Sequence, residues 1–260
     1  MPDKRLVAQR ADQLRALHYG DRPLVLPNVW DAASAKVAAA AGFPALATGS
    51  ASVAEVLGHA DHEAAPPSEM FAAAARITGA VEVPVTVDVE AGYGLPPSSL
   101  GARLTEAGAA GCNLEDSDHL LGGLMPAEKQ AERLAWLRAA TRAAGVDLVI
   151  NARVDVFVQE WGSPSERVAE TVRRALIYFE AGADCVYPIL APDAETIREL
   201  VASVKGPVNV LHRPGSPSFE ELARWGVARV TFGPGLHRAT MRAFGDMVAR
   251  LAGGADPYDS

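Results

Sequence analysis

Cysteine is almost missing from this chain. Among 260 residues there are 2, Cys112 and Cys185. Both sit in apolar, strand-like runs and neither belongs to a CxxC pair. A disulfide framework and a cysteine-built zinc site are therefore not indicated, and a reduced, cytoplasmic setting is expected. Long apolar runs are absent too: none reaches the ~18 residues that a bilayer span needs. Residues 1–9 are charged and lack an apolar h-region, so no signal peptide is expected. Basic residues are outnumbered, 24 Lys and Arg against 32 Asp and Glu, for a net charge of −8. They form no stripe, so neither nucleic acid nor a membrane surface is an expected partner. A small acidic metabolite is not excluded, because a local pocket can be positive in a negative protein. Finally, no GxGxxG follows the first strand-like run, which argues against a dinucleotide-binding open sheet.

What the chain does have is alternation. Short apolar runs at 24–26, 45–47, 84–89, 111–115, 148–154, 185–189, 208–211 and 229–232 are separated by helical pattern. The expected helices cover 4–19, 31–41, 68–79, 98–107, 127–144, 165–181, 193–204, 219–225 and 236–251. Asp31 suits an N-cap and Ser68 another. Four helices end in a glycine just before a strand, at Gly42, Gly108, Gly182 and Gly226: one αβ junction used repeatedly. Eight strands alternating with helices over roughly 250 residues predict an α/β fold, a single parallel (β/α)8 barrel spanning 1–260. Residues 53–67 break the pattern and predict a long irregular insert, a place where function tends to sit.

Charge gathers where the strands end. In Pro84-Val85-Thr86-Val87-Asp88-Val89-Glu90 the period of two puts Thr86, Asp88 and Glu90 on one face. Glu115 ends the next strand. Asn151, Arg153 and Asp155 share a face of the one after. Barrel active sites lie at the C-terminal ends of strands, so one polar mouth above a packed core is expected. Three carboxylates without His or Cys suit Mg²⁺, with Mn²⁺ as the substitute, rather than zinc. Arg153 either grips a substrate carboxylate or forms a structural ion pair with Asp88 or Glu115.

Asn28-x-Trp30-Asp31-Ala32-Ala33-Ser34-Ala35, Asp88-x-Glu90-x-Gly92-Tyr93-Gly94, Gly111-Cys112-x-x-Glu115-Asp116 and Asn151-Ala152-Arg153-x-Asp155 follow one another in order. Together they resemble the isocitrate lyase/phosphoenolpyruvate mutase superfamily over nearly the whole chain. The resemblance implies a modified (β/α)8 barrel, Mg²⁺, and substrates that are 2-oxo acids or yield them through an enolate-like oxyanion. It implies that Asp88 ligates the metal directly, while Glu90 and Glu115 support it largely through water. It implies that Arg153 binds substrate, that the turn Gly49-Ser50-Ala51 offers N–H groups to a carboxylate, and that Asp61 is a further acid of the pocket. It also implies a homotetramer, a dimer of dimers in which the closing helix is exchanged between subunits; that helix here carries Met241, Phe244, Met247, Val248 and Leu251 at helical spacing.

The departures narrow the chemistry. Isocitrate and methylisocitrate lyases carry a lid cysteine after the fourth strand. Here the segment 117–126 has neither cysteine nor lysine, only His119 and the pair Gly122-Gly123. His119 is then either a proton carrier or a solvated loop residue. His59, His62 and His212 face the same choice, and His212 with Arg213 is placed to reach a distal carboxylate. Cys112 is expected to pack in the core. The expected activity is C–C cleavage or oxaloacetate-type decarboxylation of a small 2-oxo or 2-hydroxy (di)carboxylic acid. The alternatives are P–C chemistry on phosphonopyruvate or phosphoenolpyruvate, and 2-oxo acid binding with little turnover.

Overall fold

Strand and helix alternate through residues 2–258, which the computed structural model describes. The strands are β1 (Leu24–Val25), β2 (Asn28–Val29), β3 (Leu46–Thr48), β4 (Val85–Asp88), β5 (Gly111–Glu115), β6 (Val149–Val154), β7 (Cys185–Pro188), β8 (Asn209–Leu211) and β9 (Arg229–Thr231). The helices are α1 (Lys4–Leu17), α2 (Ala32–Ala40), α3 (Ser50–Leu57), α4 (Pro67–Gly79), α5 (Pro97–Glu106), α6 (Ala127–Ala143), α7 (Pro164–Glu180), α8 (Ala194–Ser203), α9 (Phe219–Arg224) and α10 (Gly235–Ala252). Every strand pairing within the sheets is parallel. No helix among the described residues is long and apolar enough to cross a membrane.

The strands close into a ring. One run goes β2-β3-β4-β5-β6-β7 and the other β1-β9-β8. Pro27, which has no N–H to donate, splits a single barrel strand into β1 and β2. Leu26 N–H still donates to the Val230 carbonyl at 2.9 Å, and the Pro27 carbonyl accepts from Ala47 N–H at 3.0 Å. Across the ring, Val186 N–H donates to the Pro207 carbonyl at 3.0 Å, beside a bridge between Val186 and Val208. This is the (β/α)8 barrel that the alternation predicts.

The junction glycines behave as expected. Gly42, Gly108, Gly182 and Gly226 all take a positive φ, from 76° to 100°, a conformation that glycine adopts without steric penalty. Asp31 caps α2 in a full capping box with Ser34. Two expectations are corrected. Residues 53–67 are not all irregular: Ser50–Leu57 is helical, with apolar Val53, Ala54 and Leu57 packed inward, and only the stretch after Gly58 is irregular. The N-cap of α4 is Pro66, not Ser68, because Pro67 fits the first helical position, where its missing N–H is not needed.

A larger correction concerns the core. Outward side chains such as Val87, Cys112, Leu114, Ile150 and Ala152 pack with Leu100, Leu104, Leu134 and Leu137 of the helices. That layer is the packed core. The barrel interior is different. Leu14 of α1 plugs its lower end beside Leu24, Ala45, Ala110 and Val149. Above this plug the inward positions are polar: Thr86, Asn113, Asn151, Asn209, Arg229 and Thr231 are all buried. Register places Asn113 beside Asp88 and Asn151, and Arg229 beside Asn209.

Candidate active site

One cavity of about 790 Å³ opens above that polar layer. Its lining includes Gly49, Ser50, Ala51, Asp61, His62, Asp88, Arg153, His212 and Arg213. Parallel strands deliver Asp88, Glu115 and Arg153 to the same end of the barrel, Glu115 and Arg153 as direct register partners.

Asp88 closes β4. Its backbone N–H donates to Thr48 Oγ1 at 2.9 Å, and its carboxylate accepts from the N–H groups of Ser50 at 3.2 Å and Glu90 at 3.3 Å. It makes no side-chain ion pair among the described residues. Burial raises its pKa, against the opposing pull of Arg153. The turn Gly49-Ser50-Ala51 is the start of α3, where no side chain caps the helix. Unpaired N–H groups at such a helix start favour an anion.

Arg153 is gripped from two sides. Its Nη1 lies 2.7 Å from Glu115 Oε2. Its Nε and Nη2 donate to the two oxygens of Asp155 at 2.6 and 3.0 Å. Asp155 also accepts from Ser117 Oγ at 2.6 Å. The ion-pair reading of Arg153 is met at Glu115, and the residue also forms part of the cavity wall. The neighbouring Asp116 turns the other way, to Arg174 Nη1 at 2.9 Å and Tyr178 Oη at 2.7 Å, and fastens β5 to α7.

Glu90 departs from the expected face. It lies past the end of β4 with φ +49°, so strand alternation no longer governs it. Its Oε2 accepts from Glu63 N–H at 2.6 Å, while Glu63 Oε1 accepts from Tyr93 N–H. The irregular segment after α3 is thereby latched to the turn after β4. Burial pushes the Glu90 carboxyl up to about 8.

His119 is not a solvated loop residue. Its Nε2 stands 2.6 Å from Glu115 Oε1, and its ring lies 5.6 Å from that of His62. The bond to Glu115 raises the imidazole, while burial raises the Glu115 carboxyl. His59 instead pairs with Glu69 at 3.0 Å on the surface, and His212 packs on Phe219 and Phe232. Cys112 is core, its thiol pushed up to about 12 by burial.

No three His, Cys, Asp or Glu side chains among the described residues lie close enough to hold a metal by themselves. Asp88, Glu90 and Glu115 are therefore not a closed ligand triad. The donor set nonetheless fits a hard cation bound by Asp88 with water completing its shell. Asp88 faces the cavity, has only N–H partners, and sits among carboxylates that raise one another's pKa. A divalent cation answers that excess of buried negative charge.

Residue-level reading of the sequence missed Asn28, Asn113 and Tyr187, which also line the cavity. Tyr187 is the register partner of Arg153, so parity alone could have found it. Asn28 joins two loops, donating to the Thr48 carbonyl at 2.9 Å and accepting from Phe232 N–H at 2.7 Å.

Fold and site define a parallel (β/α)8-barrel enzyme with an acidic, arginine-bearing mouth at the strand C-termini. The phosphoenolpyruvate phosphomutase family profile matches residues 14–252, and the chain belongs to that family, in the isocitrate lyase/phosphoenolpyruvate mutase superfamily of lyases and mutases. An uncharacterised protein of Mycobacterium tuberculosis H37Rv is 35% identical over 84% of this chain and 80% of its own. The oxaloacetate decarboxylase of Ectopseudomonas mendocina is 29% identical over 94% and 85%. Among solved structures, a candidate phosphonomutase from Burkholderia cenocepacia J2315 superposes with TM-score 0.87, at 41% identity over 93% of this chain and 99% of that one.

Proposed function

We propose that this protein is a Mg²⁺-dependent lyase that decarboxylates or cleaves a small 2-oxo or 2-hydroxy dicarboxylic acid, with oxaloacetate-type decarboxylation favoured. One observation carries the reading: Arg153, held by Asp155 and Glu115, shares one cavity with Asp88 and the uncapped start of α3. A small acid with two anionic groups suits that pairing. The Ala51 N–H, beside the Ser50 N–H that holds Asp88, receives one carboxylate and the Arg153 guanidinium binds near the reacting centre. Asp88 would hold Mg²⁺, with Glu90 and Glu115 supporting it through water. The cation supplies positive charge where an enolate oxygen develops.

The remaining chemistry falls to the segment after β5. It has no thiol, so protonation of a large leaving carbanion has no obvious donor. Release of CO₂ needs no such donor. His119, hydrogen-bonded to Glu115, would carry the proton that quenches the enolate. The name of the Ectopseudomonas mendocina relative agrees with this choice. P–C chemistry on phosphonopyruvate is the second reading, favoured by the family profile and by the candidate phosphonomutase. We further propose that α10 packs against another copy of the chain in a homotetramer, and that the enzyme works in the cytoplasm, where its two buried thiols stay reduced.

Steady-state turnover on oxaloacetate, other 2-oxo acids and phosphonopyruvate, with Mg²⁺ and with chelator, tests the proposal. Metal-dependent release of CO₂ is expected. Preferential P–C cleavage would select the second reading. Binding of 2-oxo acids without turnover would reduce the protein to a binder.

A further inference from the structure

Below the mouth lies a group that the mechanism above does not use. Arg229 of β9 is completely buried, yet makes no ion pair among the described residues. Its Nη2 donates to Asn113 Oδ1 at 3.2 Å, while Nε and Nη1 have no partner. An isolated buried cation works against stability. No carboxylate pairs with it directly: Asn209, Cys185 and Tyr187 are its neighbours, and Asp88 acts on it only through space. Packing therefore gives no reason for an arginine at this place, where an aliphatic side chain would fill the barrel.

The hydrogen bond itself gives one. A guanidinium can only donate, so the face of the Asn113 amide turned toward Arg229 must be its oxygen. Asn151 Nδ2 donates to the same oxygen at 2.8 Å. Both lone pairs of Oδ1 are then engaged within the barrel. The NH₂ group is left pointing elsewhere, and no acceptor among the described residues meets it. Asn113 lines the cavity beside Asp88 and Arg153. Ordinarily the two ends of an asparagine amide are interchangeable by a flip; here the arginine beneath removes that freedom.

We propose that Asn113 is a substrate-contacting residue whose NH₂ group donates to an anionic oxygen of the bound acid, and that Arg229 is a positioning residue that fixes this orientation from below. The inference rests on the anionic-substrate reading given above and adds a specificity element to it. The ligand atom above Asn113 must be an acceptor, as a carboxylate or enolate oxygen is. A ligand presenting only donors there, such as an ammonium group, is rejected. The unpaired guanidinium of Arg229 reinforces the preference, since it lies under the floor of the same cavity in a medium of low polarity.

The test combines melting temperature with the dissociation constant for oxalate in the presence of Mg²⁺, on the full chain. Arg229→Met removes a buried charge and substitutes a side chain of similar length. Its melting temperature is expected to be unchanged or higher, while oxalate binds about 10- to 150-fold more weakly, the worth of a hydrogen bond to a charged group. Asn113→Asp gives Arg229 a counter-charge, although it also sets a second carboxylate beside Asp88; it presents an acceptor to the cavity, so oxalate affinity should fall at least as far. Arg229→Lys, which keeps a donor and the charge, should recover part of the lost affinity. A fall of more than about 3 °C in Arg229→Met, the shift that about 1 kcal/mol gives in a chain of this size, with oxalate affinity retained would make Arg229 a structural residue and overturn its positioning role. Undiminished oxalate binding in Asn113→Asp would overturn the amide contact. Both results leave the proposed function standing. Failure of the unmodified protein to bind oxalate or any 2-oxo acid would instead overturn the proposed function, and the ligand contact with it.

Discussion

His119 Nε2 and Glu115 Oε1 stand 2.6 Å apart beside Arg153, which forms part of the cavity wall. Burial makes the carboxylate reluctant to ionise, and the carboxylate makes the imidazole reluctant to lose its proton. If this pair quenches the product enolate, His119→Ala should lower kcat about 10²–10⁴-fold, the usual worth of general acid–base catalysis. Affinity for a non-reacting analogue such as oxalate should hold. An unchanged kcat would remove the histidine from the mechanism. A second histidine acts on stability. His18 follows α1 under the barrel, buried and near Arg229, and its pKa is lowered to about 4, chiefly by burial. The unfolded chain takes up that proton first, near the ordinary value of about 6.5. Neutral His18 therefore contributes its full share of stability above pH 6.5 and loses it as the pH falls toward 4, by at most roughly 3 kcal/mol. Denaturant unfolding from pH 7 to pH 4 should show this slope, and His18→Leu should flatten it; an equal slope in both proteins would assign the acid sensitivity elsewhere. Alternation along single strands made Asp88, Glu115 and Arg153 legible in the sequence, because each stands on or at the end of a regular strand. Asn113 and Arg229 were not. A run such as Arg229-Val230-Thr231 looks the same whether its polar face meets water or the inside of a ring.

Between residue and molecule, the loops after the strands divide into rigid and permissive. Glu63, Glu90 and Tyr93 all take positive φ, and the Glu63–Glu90 and Glu63–Tyr93 bonds tie the segment after α3 to the turn after β4. The segment 117–126 is tied at its base, by Ser117 to Asp155, His119 to Glu115 and Met125 N–H to the Asp116 carbonyl, and is open only at its tip. At its tip Leu120 and Leu121 are 91% and 82% exposed, next to Gly122 and Gly123 at φ near +78°. Glycine plays a different part at Gly111. A Cβ built there would stand 2.6 Å from the Val149 carbonyl oxygen and 3.2 Å from the Leu14 side chain that plugs the barrel. Gly111→Ala is therefore expected to destabilise the fold by about 1–3 kcal/mol, the cost of overpacking. Its denaturation midpoint should fall with an unchanged slope; a midpoint equal to that of the parent would mean that β6 and α1 can both shift without penalty. The sequence showed the four junction glycines and the order of the elements, since helix stops and strand starts are local signals. It did not show that α3 begins directly at the end of β3. Ala- and Ser-rich residues with a glycine at each end carry weak helical periodicity, and the helix is fixed by Val53 and Ala54 packing against the barrel.

At the scale of the whole molecule, α10 stands apart. Only His237 of this helix is buried, against Trp30. Met241, Phe244, Val248 and Leu251 recur on one stripe and remain 43–56% exposed. A second copy of the chain is the occupant that we propose for this stripe. Sedimentation at micromolar concentration should give a tetramer, and Phe244→Asp should shift it toward smaller species; a monomeric parent protein would refute the assembly. The sequence pattern pointed to the apolar stripe, but a stripe by itself does not say whether it meets its own barrel or another. Ring closure has a further outcome for how the chain is made. The seam at Pro27 leaves Leu24 and Val25 without a neighbour on one side until Arg229–Thr231 has been synthesised. A nascent chain thus carries an open sheet edge through almost all of its translation, and any truncation ahead of β9 yields an unpaired template for aggregation, not a smaller barrel. The strand that ends this exposure is also the one that brings Arg229 under Asn113. A chain cut short before it lacks the floor of its cavity as well as its closure, so fragments that retain Asp88, Glu115 and Arg153 should have no residual turnover.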